Sequence, residues 1–292
     1  MKGFGEAVAY GAATIVNAIA TGRGAAFGIN LRTKARVTLT SDVGVVKGKI
    51  LSDPKEDTRL IEAAVKVVFK RFGVEKKFGA YVETESNIPI ARGLKSSSVA
   101  SNAIVLATLA ALKRKTSDKT VLSLSVKAAF EAKTTVTGAF DDTCASYYGG
   151  VVVTDNLKQK ILKKDKIKED YSILIHIPPK KVYTAKSDVE KMRLIAPQVE
   201  LAFKEALKGK YWKALTLNGI LYSSALGYSQ ETVFEALKAG AVAAGLSGKG
   251  PAVVAVVEKE KKDKVLDVWK PFKGEVLETN LNNKKSFVVE AG

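Results

Sequence analysis

The chain has 292 residues, 46% hydrophobic and 26% charged, a balance that excludes a disordered or fibrous protein and leaves room for two domains that each bury a core. Lys+Arg of 47 against Asp+Glu of 30 give a net charge of +17, which raises nucleic acid or an anionic ligand as partners. A single cysteine, Cys144, excludes an internal disulfide, and a single histidine, His176, leaves nothing from which to build a zinc cluster or a Ser-His-Asp triad.

The opening residues, MKGFGEAVAY, lack the charged start and unbroken apolar run of an export signal, and no later segment is apolar for long enough to span a membrane. A cytoplasmic protein is expected. Residues 6 to 40 combine small and β-branched residues and end in RTKARVTLT, where Ala35, Val37 and Leu39 alternate with polar neighbours as in a strand. Between them ATGRGAAFG is expected to be a loop; Phe27 stands where a dinucleotide fingerprint would have its third glycine. Apolar residues at helical spacing predict a helix over 58–72, and GAYVETES alternates as a strand.

The stretch NIPIARGLKSSSVASNAIVLATLAAL, residues 87 to 112, leads a proline, a glycine and three serines into an almost wholly apolar helix starting at Ser96 or Ser97. A further helix is predicted over about 117–133, broken by TTVTGAFDD, and VVVTDN reads as a strand. The basic run LKQKILKKDKIKED, residues 157 to 170, mixes acids with its lysines and has no aromatic residue for base stacking, so it is expected to be a solvated linker or strand rim. YSILIHIPP follows as a strand holding His176 in a core or rim position, and residues 187 to 239 read as helical. AGLSGKGPAVVAVVE is a glycine-rich loop feeding an apolar strand, with a helix at KDKVLDVWKPF and a strand at KSFVVE closing the chain. Strands and helices without strict alternation predict an α+β fold, with a break near residue 158 into units 1–158 and 159–292.

The chemistry concentrates at residues 89 to 98. Serines are good helix N-caps, Gly93 allows close approach to the first N–H groups of the helix, and those unpaired donors plus the helix dipole form an anion site whose usual occupant is phosphate. The ordinary phosphate loop, G-x-x-x-x-G-K-[ST], is absent, because Gly250 rather than a hydroxyl residue follows Lys249. Any phosphate site here has another design.

PIARGLKSSSVA resembles the P-x-x-x-G-L-x-S-S-A motif of the GHMP small-molecule kinases, and GLSGKGPAVVAV is similar to their C-terminal glycine-rich motif. Glu131, Asp142 and Gly150 reproduce a spacing found in several members, an acidic residue eleven positions before an aspartate that lies eight before the second glycine of a pair. With TGAFDDTCASYYGG and AATIVNAIATGRGAAFG added, the chain as a whole resembles the archaeal shikimate kinases of that superfamily. The resemblance implies a two-domain GHMP kinase fold, with an N-terminal domain like domain 2 of ribosomal protein S5 and a ferredoxin-like C-terminal domain. It also implies ATP, Mg2+ and shikimate as a small-molecule acceptor, with neither nucleic acid nor membrane as partner.

By the same resemblance, Pro89, Ile90, Ala91, Arg92, Gly93, Leu94, Lys95, Ser96, Ser97 and Ser98 would wrap the ATP phosphates, aided by Gly248, Lys249 and Gly250. Ser97 and Glu131 would hold Mg2+, and Asp142 would face the acceptor hydroxyl as base or orienting group. Choosing Asp142 over Asp141 rests on family spacing alone. Arg23, Arg92, Lys95 and Arg193 are candidates for an acceptor carboxylate, and sequence does not choose among them. Cys144 reads as small core filling. Lys95 stands where many relatives have glycine, and the first motif lacks the charged residue that some sugar and mevalonate kinases carry there. Alternatives are another kinase of this superfamily, homoserine kinase first, or a basic nucleic-acid-binding protein.

Overall fold

The computed structural model describes residues 3–179 and 189–292. The chain opens with two long antiparallel strands, β1 (Phe4–Val16) and β2 (Arg23–Thr40), followed by β3 (Val46–Ile50), helix α1 (Arg59–Phe72) and β4 (Gly79–Ser86). Helices α2 (Ser96–Ala111), α3 (Asp118–Glu131) and α4 (Phe140–Tyr148) come next, then the hairpin β5 (Val151–Asp155) and β6 (Lys160–Asp165). The remainder contributes β7 (Tyr171–Ile177), helices α5 (Val189–Leu194), α6 (Ala196–Leu207), α7 (Tyr211–Leu226) and α8 (Glu231–Lys238), β8 (Ala243–Leu246), β9 (Val253–Glu258), α9 (Lys262–Trp269), β10 (Glu275–Asn280) and β11 (Phe287–Ala291).

Among the described residues these strands form two sheets. The first runs β11-β1-β2-β4-β3, with β5 and β6 continuing from the other half of β2; the second is β10-β7-β9-β8. β2 is long enough to serve two partners, pairing through Arg23–Phe27 with β5 and through Thr33–Thr40 with β4. ATGRGAAFG is therefore mostly strand, correcting the expected loop. Its small residues suit a crowded position: a Cβ on Gly24 would lie 2.4 Å from the Asp141 carboxylate on α4.

The basic run at 157–170 contains β6, an outer strand of alternating exposed and half-buried residues, rather than an extended linker. The first sheet thus draws strands from both sides of residue 158, and β11 returns to it from the C-terminus. A division by sheets falls after Asp165 and assigns residues 287–291 to the first unit. The predicted helical stretch resolves into α5 to α8, with residues 187 and 188 outside the described residues. β3, which the sequence reading passes over, joins β4 in parallel.

Helices α6 and α7 lie between the two sheets, touching β1 on one side and, through α7, β8 on the other. One hydrophobic cluster consequently runs through both halves. Ile173, Ile175, Val254 and Val256 face it, while their alternate neighbours Leu174, Val253, Ala255 and Val257 face a smaller core with Trp269 and Val233. A strand buried on both faces has no polar side, which is why VVAVV reads as a continuous apolar run. His176 falls on the smaller-core side, 5.7 Å from the Trp269 ring and 6.1 Å from that of Phe272, and its burial pulls its pKa down. Among the described residues, no helix is long and apolar enough to cross a membrane.

Candidate active site

The α2 entrance is built from backbone strain. Ala91, Gly93 and Lys95 have φ of 57°, 85° and 63°, while Arg92 and Leu94 between them are not left-handed. Left-handed residues at alternate positions are the backbone pattern in which successive N–H groups can converge on an anion. Lys95 is the N-cap of α2, and no side chain caps that helix. The serines are its first three residues, not its caps as the sequence suggested, so helix dipole and backbone donors remain available to a ligand.

Gly93 serves a purpose different from the one expected of it. A Cβ there would lie 2.3 Å from the Ser247 carbonyl oxygen, so it permits loop-to-loop contact rather than ligand approach. The Ser247 hydroxyl donates to the Gly93 carbonyl at 2.9 Å, and the Ala252 N–H donates to the Arg92 carbonyl at 3.1 Å. The glycine-rich loop is also tied to the other half of the chain. The Gly248 N–H donates to Thr14 Oγ1 at 2.9 Å, Asn17 Nδ2 donates to the Gly248 carbonyl at 2.8 Å, and the Asn17 N–H donates to Asn218 Oδ1 at 3.0 Å. Since the Gly250 N–H donates to Ser247 O, neither glycine N–H is free for phosphate. This loop offers the cavity its Lys249 side chain instead.

Asp141 and Asp142 occupy the first turn of α4, where the helix dipole favours negative charge. Their surroundings differ. Asp141 Oδ1 accepts from Asn156 Nδ2 at 2.8 Å, and the Asp141 N–H donates to Asn156 Oδ1 at 3.2 Å, which pins this residue to the turn after β5. Asp142 pairs with Lys95 Nζ at 2.9 Å, and its Oδ1 is buried without a hydrogen-bond partner. Burial first, and Asp141 second, push the Asp142 pKa up to about 7 against the pull of Lys95 and Lys249. Burial and the Lys95 charge bring Lys249 down to about 7. Burial raises the Cys144 thiol, which is inert packing, as expected.

A cavity of about 120 Å³ collects these groups: Ala91, Gly93, Leu94, Lys95, Ser96, Ser97, Ser98, Asp141, Asp142, Gly248, Lys249 and Gly250 all line it. A second, more apolar cavity of about 390 Å³ shares Ala91, Ser96, Ser97 and Thr134 with the first and extends between Ile50, Leu60, Ile61 and Ile104, with Ile90 on its wall. Three expected residues line neither. Pro89 is half-buried in the loop, Arg92 donates to the Pro178 carbonyl at 2.5 Å, and Glu131 lies exposed at the end of α3 with Lys127 4.0 Å away. Among the proposed carboxylate partners, Arg23 is paired with Glu200 at 2.5 Å and lies over Phe203, while Arg193 is exposed on α5.

The structure also adds Asn17 and the hydroxyl-rich segment Thr134, Thr135 and Thr137 to the first cavity. The threonines carry a sequence signal, three hydroxyls just before two acids. The second cavity has none, because its wall is assembled from β3, β4, α1 and α2.

The arrangement places the open N-terminus of α2 beside a carboxylate with one unpartnered oxygen, Lys95 paired to its other oxygen and Lys249 lining the same cavity, as phosphoryl transfer to a hydroxyl would use. Residues 59–150 match the GHMP kinases N terminal domain, and residues 212–275 match the GHMP kinases C terminal domain. This chain belongs to the GHMP kinases. A shikimate kinase of Methanosarcina acetivorans is 47% identical over 282 residues, covering 96% of this chain and 95% of that protein. One from Pyrococcus furiosus is 44% identical, covering 96% and 99%. The solved Methanococcus jannaschii mevalonate kinase aligns with a TM-score of 0.77 at 18% identity, covering 95% of this chain and 98% of its own. A homoserine kinase of Cytophaga hutchinsonii aligns at 0.74 and 17%, covering 98% and 97%. The expected GHMP kinase fold in an α+β chain is therefore present, and with the family comes ATP as substrate.

Proposed function

We propose that this GHMP kinase is a shikimate kinase, transferring the γ-phosphoryl group of ATP to the 3-hydroxyl of shikimate to give shikimate 3-phosphate and ADP. Near-full-length identity to curated shikimate kinases supports the acceptor. The observation that carries the chemistry is the buried, unpartnered Oδ1 of Asp142 in the cavity at the mouth of α2.

The α2 N-terminus and the left-handed turns at 91, 93 and 95 receive the phosphates, and the apolar second cavity takes the nucleoside. Asp142 Oδ1 accepts the proton of the acceptor hydroxyl as its oxygen forms a bond to the γ-phosphorus, while the bond from that phosphorus to the bridging oxygen breaks and ADP leaves. Asn156 engages both the carboxylate and the N–H of Asp141, whereas Asp142 keeps an unpartnered oxygen, so Asp142 rather than Asp141 is the residue assigned to the hydroxyl.

Mg2+ fits this site as an ion that keeps much of its water and phosphate shell, since the cavity offers it the hydroxyl oxygens of Ser96, Ser97 and Ser98, donors of the hard kind it prefers. Ser97 would hold it, and Glu131 would join only by turning from Lys127. When bound, the ion neutralises charge on the β- and γ-phosphates.

An ADP-release assay with shikimate, homoserine and mevalonate tests the reading. Turnover of shikimate alone is expected. Turnover of homoserine without shikimate would overturn the acceptor while leaving the kinase.

A further inference from the structure

The cations lining the small cavity are Lys95 and Lys249. They differ in one respect: Lys95 is committed to Asp142 at 2.9 Å, whereas Lys249 makes no hydrogen bond or ion pair with any described residue. The other basic side chains considered for an acidic acceptor are engaged or distant. Arg92 holds the Pro178 carbonyl, Arg23 holds Glu200, and Arg193 is exposed on α5 outside the cavity wall. A half-buried ammonium that carries no counter-ion is poorly solvated, and an arriving anion removes that penalty.

Three features direct the anion. First, the N–H groups of Gly248 and Gly250 are consumed within the protein, so this loop has no backbone donors of its own glycines with which to form a second phosphate cradle beside the one at α2. Second, Lys249 and Asp142 line the same cavity of only about 120 Å³, so a molecule touching both must carry its negative group and its reacting hydroxyl close together. In shikimate the carboxylate on C1 and the hydroxyl on C3 are separated by one ring carbon. Third, the backbone leading into Lys249 is pinned. Asn17 fixes the carbonyl of Gly248, Thr14 fixes its N–H, and Asn17 is itself fixed by Asn218 and by the Tyr222 hydroxyl, which donates to its carbonyl at 3.0 Å. Burial and the neighbouring Lys95 charge also bring the Lys249 pKa down to about 7, which a bound carboxylate would reverse.

We infer that Lys249 is the acceptor-carboxylate site, an ammonium that clamps the acid group of the substrate and thereby turns the reacting hydroxyl toward Asp142. The inference rests on the proposed shikimate reading and deepens it. It removes Lys249 from the set of ATP-binding residues expected from sequence.

The test sets three proteins against two acceptors. The native chain, Lys249→Met and Lys249→Arg are each assayed with shikimate and with its methyl ester, which keeps the hydroxyls and loses the charge. For the native chain, esterification is expected to lower kcat/KM by about 10- to 100-fold, the range for a charge-assisted hydrogen bond. Lys249→Met should lose a similar factor on shikimate, through KM of the acceptor, and little more on the ester. Lys249→Arg should recover part of the preference for the acid, and KM for ATP should stay within about twofold throughout. ATP-induced shifts in melting temperature show that each variant is folded.

Full discrimination against the ester in Lys249→Met would overturn the assignment. So would a raised KM for ATP with acceptor discrimination intact, which would make Lys249 a phosphate ligand. Failure of the native chain to turn over shikimate is a separate result: it overturns the acceptor reading and this assignment with it.

Discussion

Replacing Lys95 tests whether the ion pair sets the ionisation of Asp142. The two charges are 2.9 Å apart with side chains only 13% and 7% exposed. At an effective dielectric of about 20, Coulomb attraction at that distance is roughly 6 kcal/mol. Losing only a third of it in Lys95→Met, about 2 kcal/mol, corresponds to about 1.5 pKa units. Asp142 then moves from about 7 to between roughly 8 and 9. At pH 7.5 its ionised fraction falls from about three quarters to about one tenth, so kcat/KM for shikimate should drop roughly eightfold and recover near pH 9.5.

Lys95→Gly separates charge from backbone. Lysine at φ 63° is strained by about 1–2 kcal/mol, and glycine relieves it, so the glycine variant should be about 1 kcal/mol or more stabler than the methionine variant. Both should show the same shift of the acid limb. The measurements are the pH profile of kcat/KM by coupled ADP release and chemical denaturation of all three proteins. An acid limb that stays in place in both variants refutes the argument, because Asp142 is then ionised without Lys95.

Asp142→Asn should abolish most turnover, by a factor of about a hundred to ten thousand, with ATP affinity near native in calorimetry. Full activity would transfer the role to Asp141 or to positioning alone. Gly93→Ala forces a Cβ to within 2.3 Å of Ser247 O at a φ of 85°, and should destabilise the protein by about 1–3 kcal/mol in thermal or urea melts while weakening ATP binding.

The pH dependence of stability in the ligand-free protein has two opposed contributors. Asp142 has a folded pKa raised from 3.8 to about 7, so its contribution is fully present below pH 3.8 and is lost as pH rises to about 7. Lys249 has a folded pKa lowered from 10.5 to about 7, so its contribution is present above 10.5 and is lost as pH falls to about 7. Stability should therefore dip near neutrality relative to variants lacking these groups. Asp142→Asn should flatten the acid side and Lys249→Met the alkaline side in denaturation at pH 5, 7 and 9.

Much of this protein can be read from its linear order because the relevant physics is local. A helix mouth that binds phosphate is announced by a glycine before serines and a long apolar run, since the unpaired N–H groups belong to the helix itself. Residues 89–98 lead to the family for that reason, together with the family's own spacing of Glu131, Asp142 and Gly150; alternation marks β2, and short unbroken apolar runs mark β7 and β9. Small residues at 20–28 mislead, because crowding against α4 demands them and looks in sequence like a loop.

Only the tertiary structure decided which charges do what. Asp141 and Asp142 are adjacent and alike in sequence, but a helix turns neighbouring side chains about 100° apart, so one meets Asn156 and the other Lys95. Arg23 and Arg92 had the right chemistry for an acid and were claimed by Glu200 and Pro178, partners far away in the chain. Lys249 was left facing the cavity without such a partner. A charge acts according to what stands within a few ångströms of it, and those neighbours come from other elements, 15 residues away for Asp141 and Asn156 and 177 for Arg23 and Glu200, where no sequence pattern reaches.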